Sequence, residues 1–140
     1  MDKAIADKLV ETAKEYRRRS YSPYSGYCVG AAVLCEDGTV TGGCNVENAA
    51  YSPGICAERC AAYKAMSEGH KKIRAVAVAG SPAGEDITQF AYPCGVCRQV
   101  IREFADPEDC RIIIAGSNGE VREHDTMEAL ESYSGRQSMP

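Results

Sequence analysis

Near the start of the chain, Ile5, Leu9, Ala13 and Tyr16 recur at helical spacing with charged residues between them, which predicts a helix over about 3–19. The Ser20-Tyr21-Ser22-Pro23-Tyr24-Ser25-Gly26 stretch breaks it. Tyr27 to Cys35 reads as a strand, Asp37-Gly38 as a hairpin turn and Thr39 to Cys44 as the partner strand. A loop rich in Asn, Ser, Pro and Gly follows. A helix then starts near Cys56, runs to about Glu68 and stops at Gly69. Ile73 to Ala79 is a short apolar strand, and residues 80–93 read as a loop with at most a short turn of strand. A further helix opens at Cys94-Gly95-Val96-Cys97 and runs to about Ala105. Arg111 to Ala115 is a buried strand, Ser117-Asn118-Gly119 a hairpin signal, and Glu120 to His124 its partner. Residues from Met127 are expected to form a last short helix, with 130–140 read as a flexible tail.

The resulting order is αββαβαββ(α). Helices alternating with single strands predict a sheet covered on both faces, and the two hairpins make that sheet mixed. The expected class is α/β, a three-layer αβα sandwich with a five-stranded mixed sheet. We find no repeat, low-complexity run or linker, so residues 1–140 read as one domain.

Composition narrows the function classes. The 140 residues are 44% hydrophobic and 26% charged, which suits a globular chain with a real core. The formal net charge of −4 argues against a nucleic-acid or anionic-membrane surface. The N-terminus Met1-Asp2-Lys3-Ala4-Ile5-Ala6-Asp7-Lys8 has no apolar signal region, and no run is long enough for a membrane span. A cytoplasmic location is therefore expected, where thiols stay reduced. In that compartment the 8 cysteines point to metal or catalytic use rather than to disulfides.

Cys94 and Cys97 sit at i and i+3 of a helix start, where two thiolates face one way and the helix dipole lowers their pKa. That pair alone fits a metal site or a thioredoxin-type dithiol equally well. Cys56-Ala57-Glu58-Arg59 also lies where a loop becomes a helix, and a third thiolate there can converge on the first two. Three protein ligands are the catalytic zinc pattern and four the structural one. Cys60, one turn after Cys56, is the rival fourth ligand. Cys28, Cys35, Cys44 and Cys110 read as packing residues. His70 reads as a solvated helix-end residue, and His124 has no partner in view. Three thiolates make zinc a poor Lewis acid unless a cation offsets them. Arg59 is the candidate for that role, with Arg98 behind it.

Cys56-Ala57-Glu58 followed by Pro93-Cys94-Gly95-Val96-Cys97-Arg98 resembles the zinc nucleoside and nucleobase deaminases. Gly43-Cys44-Asn45-Val46-Glu47-Asn48-Ala49-Ala50-Tyr51 and Pro23-Tyr24-Ser25-Gly26-Tyr27-Cys28-Val29-Gly30-Ala31-Ala32 look like the small homotetrameric cytidine deaminases. The likeness covers about residues 5 to 124. The Asn118-Gly119 hairpin makes the last two strands antiparallel, as in that branch, whereas relatives acting on polynucleotides run them parallel.

The resemblance implies one zinc ion per chain, held by Cys56, Cys94 and Cys97. Glu58 would shuttle protons while a zinc-activated water attacks C4 of cytosine. The Ala57 backbone N–H would hold the base O2, and Asn45 and Glu47 the ribose hydroxyls. Tyr27, in the place of the family's usual Phe, would pack on the base or sugar, and Tyr24 would line the edge. The implied activity is deamination of free cytidine and deoxycytidine in pyrimidine salvage. The implied assembly is a homotetramer with sites at subunit interfaces. A related aminopyrimidine nucleoside such as blasticidin S, a structural zinc module and a dithiol oxidoreductase are the alternatives. The family's Leu-Leu-Pro motif and following aromatic are not in register here. Tyr133, in Ala129-Leu130-Glu131-Ser132-Tyr133-Ser134-Gly135, is the nearest substitute.

Overall fold

The computed structural model describes residues 1–50, 52–93, 95–106 and 109–125. The elements run α1 (Lys3–Arg17), β1 (Tyr27–Cys35), β2 (Val40–Cys44), α2 (Ala57–Ser67), β3 (Ile73–Pro82), α3 (Gly95–Phe104), β4 (Arg111–Ala115) and β5 (Val121–Asp125). The expected last helix from Met127, the tail from 130 and Tyr133 lie outside the described residues. None of the described helices is long and apolar enough to cross a membrane.

The five strands form one sheet in the order β2-β1-β3-β4-β5. β1 is antiparallel to both neighbours, β3 and β4 are parallel, and β5 is antiparallel to β4. The connections explain this. Tight turns join β1 to β2 and β4 to β5. The long links through α2 and α3 are the crossovers that parallel strands need. β2 and β3 flank β1 and are parallel to each other, with α2 as their crossover.

Period-two alternation sorts the core into two layers. Ala31, Val33, Val76, Val78, Ile112 and Ile114 face α2 and α3. Ala32, Leu34, Ala75, Ala77, Ala79 and Ile113 face α1. A bulge interrupts the alternation: Leu34 pairs with Ala75 and Cys35 with Ile73, so Arg74 has no counterpart on β1. Ile73 and Ala75, two apart, consequently join opposite core layers.

Two glycines set how closely the helices approach. A Cβ on Gly30 would lie 1.9 Å from the Ala13 carbonyl oxygen, and one on Gly43 would lie 2.4 Å from the Ala61 nitrogen. α1 and α2 therefore lie backbone-close on the sheet.

Two boundaries differ from the sequence expectation. β3 continues past Ala79 to Pro82, because Tyr27, Cys28 and Val29 of β1 pair with Pro82, Ser81 and Gly80. Pro82 is tolerated at the strand end, where no further ladder donor is required. α1 stops at Arg17, and the next three N–H groups bond three residues back in a tightened turn. The expected β4–β5 hairpin is present, its link a 3-10 turn over Ser117–Gly119 with Gly119 at φ +77.

Candidate active site

A cavity of about 730 Å³ opens where the segment before β1 and the loop after β2 meet the N-terminus of α2. Its wall contains Tyr24, Tyr27, Asn45, Glu47, Cys56, Ala57, Glu58 and Arg59. Eight residues singled out from sequence thus share one hollow, although they come from three separate chain segments. Cys97, fully buried on α3, is not part of that wall but interacts with Arg59, which is. Cys94 falls outside the described residues.

Cys56 caps α2 in an extended conformation, with φ −78 and ψ 156. Its carbonyl accepts the Cys60 N–H at 3.0 Å and starts the helix. Ala57 and Glu58 follow in the first turn, where an anion is favoured by the helix dipole. Glu58 is only 4% exposed, which is unusual for a carboxylate.

α3 packs against α2, bringing Cys97 to the same place. The Arg59 Nη2 reaches the Cys56 Sγ at 3.9 Å. Burial alone would lower the Arg59 pKa. Hydrogen bonds and negative charge from Cys56 and Cys97 outweigh that burial and raise it. Two thiols from different helices therefore share one guanidinium. This donor set suits a thiolate-loving metal such as zinc, and the guanidinium sits where it would offset thiolate charge.

The polar side chains of the cavity are already in use by the fold. Asn45 Oδ1 accepts the Val29 N–H at 2.9 Å, and its Nδ2 donates to the Tyr27 carbonyl at 2.9 Å. Ser20 also donates to Asn45 Oδ1. Glu47 accepts the Tyr24 and Ser25 N–H groups at 3.0 and 3.1 Å, and the Ser25 hydroxyl bonds its other oxygen. The Ser25 bonds hold the Glu47 carboxyl below its ordinary pKa. Each side chain keeps capacity for a ligand, since the amide has a second N–H and Glu47 Oε2, which accepts only the Ser25 hydroxyl, has a second lone pair. Burial raises the Tyr27 phenol pKa. Tyr24, by contrast, is 63% exposed on the rim.

Several sequence expectations are corrected. His124 does have a partner: its Nε2 and the Tyr92 hydroxyl lie 3.3 Å apart, and Arg122 donates to the same hydroxyl at 3.3 Å. Tyr92 lines the cavity and was not foreseen, although it immediately precedes Pro93-Cys94. Arg98, the second candidate cation, is placed by the fold at the entry to α3. It is 2% exposed and donates from Nη1 to the Pro93 carbonyl at 2.9 Å, bracing the turn into α3. Cys60 lies near Cys44, whose thiol pKa is raised by burial and by the Cys60 charge. His70 is not a solvated residue, its side chain being 15% exposed between two carboxylates.

The family model for the cytidine and deoxycytidylate deaminase zinc-binding region matches residues 3–114. A cytidine deaminase of Sporosarcina psychrophila is 48% identical over 100 residues, covering 71% of this chain and 70% of that one. A cytidine deaminase of Halalkalibacterium halodurans is 40% identical over 122 residues, covering 87% and 88%. The crystal structure of a cytidine deaminase from Burkholderia pseudomallei superposes with a TM-score of 0.78 at 37% identity, covering 92% of this chain and 96% of that one. With its five-stranded mixed sheet and its Cys56–Glu58 helix start, the chain belongs to the cytidine and deoxycytidylate deaminase family.

Proposed function

We propose that the chain hydrolyses free cytidine and deoxycytidine to uridine and deoxyuridine, releasing ammonia. The observation that carries the reading is the cavity. It joins a buried carboxylate, a thiol–guanidinium cluster and two hydrogen-bonding side chains in a volume suited to a nucleoside. Cys56, Cys94 and Cys97 would hold one zinc ion, which when bound lowers the pKa of water and makes it a nucleophile at neutral pH.

The other groups are this chain's own. Glu58 accepts the proton released from water and returns it to N3 of the base and then to the departing ammonia. The Ala57 N–H, in the first turn of α2, holds O2 of the base. Arg59 balances the thiolates. Asn45 and Glu47 bind ribose hydroxyls with their remaining donor and acceptor capacity, and Tyr27 packs on the ring.

A homotetramer accompanies this reading. Tyr24, Val46 and Val96 are large exposed apolar residues on the cavity rim, which a neighbouring subunit would cover. Light scattering should give about four times 15.1 kDa. An active monomer would overturn the shared-site picture.

The deciding experiment compares absorbance change on cytidine, deoxycytidine, CMP and blasticidin S. Turnover of the two free nucleosides, with little on CMP, supports the reading. Turnover of blasticidin S alone would replace it with the related antibiotic-nucleoside activity. No turnover with a redox-active Cys94–Cys97 pair would replace it with a dithiol oxidoreductase.

A further inference from the structure

At the end of α2 away from the cavity, three groups of different chemistry converge. Cys35 closes β1, Glu36 enters the β1–β2 turn, and His70 follows the Gly69 stop of α2. A Cys35 Sγ, a Glu36 carboxylate oxygen and a His70 ring nitrogen all lie within 4.8 Å of one another. His70 Nδ1 is 3.5 Å from Glu36 Oε1 and 3.4 Å from Asp37 Oδ2.

The cluster is held in shape by the backbone. Glu36 Oε2 accepts the N–H groups of Lys71 and Lys72 at 2.9 and 2.7 Å, which leaves Oε1 beside His70. Desolvation pushes the Glu36 carboxyl up, but those two N–H bonds outweigh it and hold it below its ordinary value. The Thr39 backbone N–H does the same for Asp37. Burial pushes the Cys35 thiol up to about 11, and the carboxylates of Glu36, Asp37 and Glu68 add to the effect. The Glu36 oxygen beside the thiol and the two carboxylates against His70 place negative charge around the cluster, which favours a cation.

We propose that Cys35, Glu36 and His70 form a second site for a divalent transition metal of the zinc type, with water completing the coordination. One sulfur, one nitrogen and one carboxylate oxygen make a borderline-soft set that zinc or cobalt accepts and that calcium or magnesium does not. On binding, the Cys35 S–H gives its proton to solvent and a metal–sulfur bond forms, with no change of oxidation state. The ion ties the β1–β2 turn to the α2–β3 junction and so stabilises the fold by mass action.

The site is remote from the cavity. Val29 on the cavity wall is six residues ahead of Cys35 on β1, about 20 Å along the strand. Cys56 and His70 flank the two ends of α2, whose 11 residues span about 16 Å.

The test is a titration of cobalt(II) into the full-length, zinc-loaded chain, with release of the resident zinc monitored. The expected result is a thiolate-to-cobalt charge-transfer band that saturates at about one added equivalent without zinc release, together with a higher Tm. Cys35→Ser and His70→Ala should each abolish the band and the Tm rise, while nucleoside turnover stays within about twofold of the parent. If Cys35→Ser fails to fold, Glu36→Gln with His70→Ala decides the matter. Absence of the band, its persistence in the variants, or its appearance only as zinc leaves would each overturn the proposal. Neither the band nor the Tm depends on deamination, so failure of the second site and failure of the deaminase reading are separately visible.

Discussion

On the α1 face of the sheet, Leu9, Val10 and Ala13 cover alanines, Leu34 and Ile113, and the helix backbone rests directly on Gly30. On the other face the same alternation supplies Val33, Val76, Val78, Ile112 and Ile114, but two helices share the covering. Glu58 and Arg98 are buried with them, and Cys56 and Cys97 meet at Arg59. One helix can seal a face by close approach. Two helices that begin beside each other leave a notch between their first turns, and there buried polar groups find donors and a favourable dipole. The candidate site therefore lies on the two-helix face, and the one-helix face is closed by packing.

The sharpest way to break this contrast is at Glu58. Glu58→Gln should lower cytidine turnover by about 10²–10⁴-fold, with metal content and Tm nearly unchanged, as a general acid–base role requires. Turnover within tenfold of the parent would remove the chemistry from that face.

The opposite face is tested at Gly30. The Cβ added by Gly30→Ala meets main-chain atoms of α1 that cannot swing aside. A loss of about 3 kcal/mol is expected by denaturant titration, with turnover per folded molecule preserved at low temperature. Loss of turnover without loss of stability would mean that the α1 face takes part in the chemistry.

Asn45 lies between the two behaviours, since it serves both the fold and the cavity. Asn45→Ala strands the Val29 N–H and the Tyr27 carbonyl, which should cost about 1–3 kcal/mol. If Asn45 also binds ribose, KM for cytidine should rise as well. A stability loss at constant KM would assign Asn45 to the fold alone.

The smallest effect is expected at Glu47. Its folded-state pKa lies below the ordinary 4.5, so its contribution is fully present above that value. The contribution is lost as pH falls through the lower folded value. The acid limb of a Tm-versus-pH curve should be shallower in Glu47→Gln than in the parent. Parallel limbs would show that the Tyr24–Ser25 turn does not depend on the carboxylate.

The elements that depend on near neighbours were legible from sequence. The strand at Tyr27–Cys35, the helix after Cys56 and the stop at Gly69 follow from alternation, a loop-to-helix change and a glycine. The pairing of Cys56 with Glu58 in one helical turn is local as well. Legibility failed where a distant partner decides. The extension of β3 to Pro82 is demanded by Tyr27 and Cys28 of β1. His124 looked solitary because Tyr92 lies 32 residues away. His70 looked solvated because Glu36 and Asp37 approach only after β1 and α2 pack together.

Sequence by itself determined the element order as far as β5 and the mixed character of the sheet, and it named the residues proposed to carry deaminase chemistry, because spacing within a turn or a strand fixes which side chains share a face. Only the tertiary structure decided that Cys56 and Cys97 share Arg59, that Asn45 and Glu47 brace the very loops that form the cavity, and that Cys35, Glu36 and His70 meet at the far end of α2. Those contacts join segments far apart in the chain. Their geometry is set by strand order, by the crossovers through α2 and α3 and by the close seating of α2 on Gly43, none of which local periodicity encodes.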